Sequence, residues 1–348
     1  MMDRRCLLAG AAMTPVLAAA SRLIPAAAAE DPVSGWRRFE LTTEVTLTAA
    51  PASLWLPIGQ SRRSYQRALS LGWQGTAEEA ELVDDPVYGA RILRLKWKPG
   101  ASVRQVRVVQ TVETRDRSNQ PDPASPAEQA FYLRPTVNMP TDGIVRTTAD
   151  KIVAGKTAPH ERAKAIYDWI VDNTFRDAAT RGCGLGNIAA MLRSGYLGGK
   201  CADISSLMVG LCRAAGIPAR EVYGIRVAAS RQFACLGHTG DETKAQHCRA
   251  EVYLDPQGWV PVDPADVRKV VLEAKLPLDA PPVMALRQRL FGYWEMNWIG
   301  FSSARDFTPP GAPHALDFLM YPYAVTADGE PDWLEPGSFR YRITARQI

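Results

Sequence analysis

Between residues 39 and 47 apolar and polar side chains alternate, and the same two-residue period returns over 92–97 and 103–112. That period puts every second side chain on one face of a strand. Asp84-Asp85-Pro86 and Pro99-Gly100 supply turns between the runs, so several short strands at this spacing predict a small β-sandwich over residues 30–116. This stretch holds no cluster of nucleophile, base and metal ligands, which makes it a structural or substrate-presenting module. A segment rich in Pro, Ser and Asp then reads as a linker, 117–139.

Beyond Pro140-Thr141-Asp142-Gly143 the period changes to three and four. Thr157-Ala158-Pro159 opens a helix through Ala163, Ile166, Tyr167, Ile170 and Val171, with Glu161 in its first turn. On this helix His160 is expected at the surface and Trp169 in the core, and residues 188–192 predict another short helix. A third helix carries Ile204, Leu207, Met208, Leu211, Cys212 and Ala215 on one apolar face and stops at Gly216 and Pro218. Gly198-Gly199 precedes it, so Cys201 falls in its first turn. Further on, His247 begins a strand, Asp255-Pro256-Gln257-Gly258 has turn composition, and 259–262 returns toward Asp263. A three-residue loop over Pro256, Gln257 and Gly258 puts His247 and Asp263 on the same face of this hairpin. The aromatics of 290–301 and 319–323 read first as core; the competing reading is a lid on a site, with Arg305 and Asp306 at its rim.

The positions of Cys201, His247 and Asp263 matter chemically. Unpaired N–H groups and the positive end of a helix favour a sulfur anion in the first turn, and Lys200 adds charge of the same sign. A histidine on one strand can take the thiol proton while a carboxylate on the next holds the ring and its tautomer. A lone cysteine in a tight turn is ordinarily a packing residue. Three such groups in this order are what nucleophilic acyl transfer needs.

The arrangement resembles the transglutaminase-like superfamily of papain-type cysteine enzymes. The resemblance is carried by Gly199-Lys200-Cys201-Ala202-Asp203, by Arg213-Ala214-Ala215-Gly216-Ile217-Pro218-Ala219-Arg220, by His247 with Glu251, and by Gly258-Trp259-Val260-Pro261-Val262-Asp263-Pro264. It spans residues 140–270. It implies an α+β fold: a papain/transglutaminase-like core, an N-terminal β-sandwich domain and a C-terminal extension, 271–348, packed on the core. In that core Cys201 is the nucleophile, His247 the base and Asp263 the orienting acid, with no cofactor or metal. One departure stands out. The family commonly places an aromatic residue two positions after the histidine, where this chain has Arg249.

Residues 1–29 read as an export signal. Arg4-Arg5 precede an alanine-rich apolar run ending in Ala27-Ala28-Ala29, a pattern similar to twin-arginine signals, and export to the periplasm or beyond follows. Pro15, Ser21 and Arg22 interrupt that run, so no integral membrane segment is expected in the mature chain. Without Arg4, Arg5, Arg22 and Asp3 the chain keeps 38 basic and 36 acidic residues, a balance that calls for no nucleic acid. Five cysteines remain: Cys183, Cys201, Cys212, Cys235 and Cys248. An odd number leaves at least one thiol free, and Cys235 with Cys248 is a candidate pair. Two rival functions are a zinc site built from Cys235, His238, His247 and Cys248 and a non-catalytic binding protein on the same fold. The main expectation is an enzyme acting on peptide or protein amides, more by hydrolysis than by transfer to an amine.

Overall fold

The computed structural model describes residues 35–348 apart from positions 63, 119 and 338, so the segment expected to be an export signal, 1–29, lies outside the described residues. Two antiparallel sheets are built from the alternating segments. The first runs in the order Gly240–Asp241, Tyr341–Gln347, Arg37–Thr46, Gln105–Thr114, Gln66–Gly75; the second in the order Tyr323–Thr326, Ala52–Pro57, Arg91–Trp97, Glu79–Asp84. Phe39, Leu41, Val45, Val106 and Val108 of one share a buried cluster with Leu54, Leu56, Leu93 and Leu95 of the other. Each such side chain contributes roughly 1.5–3 kcal/mol on leaving water, which holds two sheets face to face. The runs 39–47, 92–97 and 103–112 are strands within one or two residues of their expected bounds. Residues 323–326 and 341–347, read from sequence as part of the C-terminal extension, occupy places in these sheets.

The rest of the chain is α+β. Helices Gly143–Ile152, Pro159–Asn173 and Pro264–Glu273 pack around helix Cys201–Ala214, and a four-stranded antiparallel sheet, ordered Gly258–Val262, Gln246–Leu254, Ala219–Arg226, Trp298–Ser302, closes its other side. Helix Cys201–Ala214 is therefore buried on nearly every face, where its period predicts one. Two of its polar side chains, Ser206 and Arg213, are met internally. Ser206 donates to Glu221 at 2.9 Å, and Arg213 donates to the carbonyl oxygens of Ala219 at 2.8 Å and Arg134 at 2.9 Å.

The loop of the 246–262 hairpin lies one residue earlier than expected, which shifts the cross-strand pairing by two. Leu254 pairs with Gly258 and Ala250 with Val262, so the loop is Asp255, Pro256 and Gln257. Gly258 has a φ of +85°, and Trp259 N–H donates to the Asp122 carbonyl at 2.8 Å, which ties the 117–139 segment to the hairpin. The loop keeps an odd number of residues, and the facing of the side chains is unchanged. The aromatic stretch is core: Trp294, Trp298 and Phe301 are buried. Arg305 corrects the rim reading. It is buried, and its Nη2 donates to the carbonyls of Leu185 at 2.8 Å and Gly186 at 2.9 Å. His160 is exposed as expected, and Trp169 is partly buried against the core. Among the described residues no helix is long and apolar enough to cross a membrane.

Candidate active site

Asp203 fixes the start of the Cys201 helix. Its Oδ2 accepts the Lys200 N–H at 3.0 Å, while Oδ1 accepts the N–H groups of Leu185 at 3.1 Å and Gly186 at 2.9 Å. One carboxylate therefore caps the helix and pins a loop across its end, and the Ala202 N–H donates to the Cys183 carbonyl at 2.9 Å. Gly184 lets the loop come this close. It has a φ of +84°, and a Cβ there would lie 1.8 Å from the Asp203 carboxylate.

His247 is held from the opposite side. It pairs with Gly224 across the sheet, and its carbonyl accepts the Trp298 indole N–H at 3.0 Å. A Cβ on Gly224 would meet that indole at 2.5 Å, so the glycine leaves room for the bond. His247 and Arg249 project from the same face of the strand, as a two-residue period requires. Continuing the hairpin register places Asp263 beside Arg249, one diagonal step from His247.

The ring Nε2 lies 2.8 Å from Asp263 Oδ2 and 3.4 Å from Asp266 Oδ1. Asp263 Oδ1 accepts the Asp266 N–H at 3.0 Å, which caps helix Pro264–Glu273. Arg226 Nη2 donates to Asp266 at 2.5 Å, and Arg249 Nε lies 3.5 Å from Asp263. Burial and the Arg226 charge push His247 toward its neutral form, but Asp266 and Asp263 outweigh them and hold its pKa above the ordinary imidazole value. Burial and the neighbouring Asp266 raise Asp263, whereas Asp266, against the cost of its own burial, is held well below the carboxylate range by Arg226 and His247. With Nε2 committed to the carboxylates, Nδ1 is the nitrogen left to a reacting group.

Cys201 and His247 line the same cleft of about 420 Å³. Cys183 and Tyr321 line it as well. The Cys183 thiol donates to the Gln246 carbonyl at 3.3 Å, and hydrogen bonds with Cys201 and Cys248 lower its pKa well below the usual thiol value. Sequence reading missed Cys183, Arg226 and Tyr321. The only signal for the first is its setting in Gly182-Cys183-Gly184, which has no helical or strand period. Glu251, the acid quoted with His247, instead pairs with Arg117 and Arg220.

Among the described residues the five cysteines are free thiols, Cys235 and Cys248 included, so the candidate bridge between them is not formed. The four ligands weighed for zinc are not gathered either. Among the described residues the cluster with metal-ligand geometry is His247, Asp263 and Asp266, whose ligand atoms lie within 4.8 Å of one another. Arg226 and Arg249 already answer its two carboxylates, so a cation there would face two guanidinium groups.

A buried cysteine at a helix start, facing a cleft shared with a carboxylate-held histidine on an adjoining sheet, is the layout of a thiol-enzyme fold. The chain belongs to the transglutaminase-like superfamily, whose profile matches residues 146–264. It is 36% identical over 321 residues to an uncharacterized protein of Haemophilus influenzae, covering 85% of this chain and 86% of that one. Among solved structures it is similar to one from Cytophaga hutchinsonii whose name proposes a cysteine protease, at 17% identity and a TM-score of 0.54 over 90% of this chain and 99% of that chain. It is also similar to the periplasmic domain of TgpA from Pseudomonas aeruginosa, at 18% identity and a TM-score of 0.35 over 68% of this chain and 89% of that chain.

Proposed function

We propose that this protein is an exported thiol hydrolase that cleaves amide or peptide bonds through Cys201, His247 and Asp263. The observation that carries the reading is the 2.8 Å contact between His247 Nε2 and Asp263, on a ring that shares its cleft with Cys201. In this reading Nδ1 takes the Cys201 proton, the sulfur adds to the acyl carbon, and the imidazolium returns the proton to the leaving amine. Water then enters by the same route and releases the acid. Asp263 and Asp266 stabilise the imidazolium between these steps, which burial alone would disfavour.

Transfer to a second amine shares every step up to the acyl-enzyme, so the acceptor is the point to test. The mature protein is incubated with a labelled primary amine and a library of glutamine-containing peptides, and products are read by mass spectrometry. Hydrolysed peptides without label support the hydrolase reading. Label incorporated in place of cleavage replaces it with crosslinking. Neither product, with Cys201 unreactive, would leave a binding protein on the same fold. Export rests on the Arg4-Arg5 segment, and amino-terminal sequencing of the periplasmic protein, with Glu30 expected first, tests it.

A further inference from the structure

The cleft over Cys201 is uneven in charge. Arg176, Arg181, Lys200, Arg226, Lys244 and Lys269 line it, against a single lining carboxylate, Glu335. Four of these cations are answered by acids behind the wall. Arg226 meets Asp266 at 2.5 Å, Arg176 meets Glu273 at 3.3 Å, Lys269 meets Glu273 at 4.0 Å, and Arg181 meets Asp332. Lys200 and Lys244 differ: among the described residues no carboxylate lies within 4.0 Å of either ammonium. Asp177, the acid that senses Lys200 at longer range, already accepts from the Ala179 N–H at 2.8 Å and the Tyr196 hydroxyl at 3.0 Å. Unpaired cations in a concave wall concentrate anions there. A neutral amide substrate would leave that potential unused.

We infer that the cleft takes an acyl donor bearing a carboxylate beside the scissile amide, held by Lys200 and Lys244. The inference rests on Cys201 as the nucleophile. Lys200 adjoins Cys201 in the chain and lines the same cleft, so a carboxylate held by its ammonium shares the cavity in which the bond breaks. The carboxylate takes no part in the bond changes. The sulfur–acyl bond forms, the amide C–N bond breaks, and the amine leaves with the proton carried by His247. The anion comes either from an acidic side chain or from a free peptide terminus.

The test uses the alkylation of Cys201, located by peptide mapping, and needs no substrate. Iodoacetate and iodoacetamide report the same thiol with and without a negative charge. Iodoacetate is expected to react faster at low salt, and the rate ratio to fall as salt screens the cleft. Lys200→Gln and Lys244→Gln should each lower that ratio about threefold, the size expected of one charge at cleft distances in a wet site. Two peptide pairs then compete with iodoacetamide. Protection by a Glu peptide but not its Gln counterpart assigns the anion to a side chain, and protection by a free but not an amidated terminus assigns it to the chain end; either supports the proposal. A ratio indifferent to both lysines, or equal protection within both pairs, overturns it. Cys201 inert to both reagents overturns the nucleophile reading itself.

Discussion

Asp263 divides its carboxylate between two tasks: Oδ2 lies 2.8 Å from His247 Nε2, and Oδ1 accepts the Asp266 N–H at 3.0 Å. The side chain that orients the ring also caps a helix. Its own position is thereby set by backbone, and the ring inherits that precision.

Substitution at this residue should separate orientation from proton transfer. His247→Ala removes the group that moves the proton, a loss of roughly 10²–10⁴-fold. Asp263→Asn should lose less, because its one carbonyl oxygen can still accept the ring N–H, although the amide nitrogen then faces the Asp266 N–H and the helix cap is lost. With one of its two carboxylates neutralised the imidazolium gives up its proton more easily, so the acidic limb of kcat/KM should move to lower pH. Equal losses in the two variants, or an unmoved limb, would transfer the orienting role to Asp266, 3.4 Å from the ring.

Cys201→Ala should abolish turnover and cost under about 1 kcal/mol of stability, since alanine suits a helix start. Parallel activity and urea-unfolding measurements check both halves. Activity above a few per cent of wild type would remove Cys201 from the mechanism.

Asp266 and Arg226 form a buried ion pair, with side chains 4% and 5% exposed. Asp266→Ala leaves Arg226 buried without its partner and should destabilise by roughly 3–5 kcal/mol. Because the folded pKa of Asp266 is depressed, its contribution is present above the ordinary carboxylate value and lost as pH falls through the folded one. The stability gap between wild type and Asp266→Asn should therefore close on acidification. His247 has the opposite sign. Its raised folded pKa adds stability below the ordinary imidazole value, and that contribution disappears as pH rises through the folded value. The gap to His247→Gln should be wider in acid than in alkali, and gaps independent of pH would contradict both assignments.

A chelator should leave activity and melting temperature unchanged, because the cluster of His247, Asp263 and Asp266 is already neutralised by Arg226 and Arg249. Elemental analysis of the purified protein checks this. A stoichiometric metal would mean that the carboxylates serve a cation and not the ring.

The sequence exposes what local periodicity and short loops control. The place of Cys201 follows from the spacing of Ile204, Leu207 and Leu211, and the facing of His247 and Asp263 from an odd-length turn. Hidden are contacts made across distance. The 183–186 loop is placed by Asp203, about twenty residues downstream, and by Arg305, more than a hundred further on. Neither leaves a local pattern. Arg226 looks like any polar residue closing a strand, and only the tertiary fold gives it Asp266. Strands 323–326 and 341–347 look like a tail, since their partners lie near the beginning of the chain.

That last pairing has a consequence for biosynthesis. Strand Arg37–Thr46 is flanked by Gln105–Thr114 on one edge and Tyr341–Gln347 on the other, and the cleft itself uses Tyr321 and Glu335. A ribosome-bound chain that has emerged only to residue 320 lacks both the flanking strand and part of the cleft wall. One edge of the early strand stays open until residues 341–347 have been made. The cleft over Cys201 is thus completed only once the chain has been made more than a hundred residues beyond that cysteine.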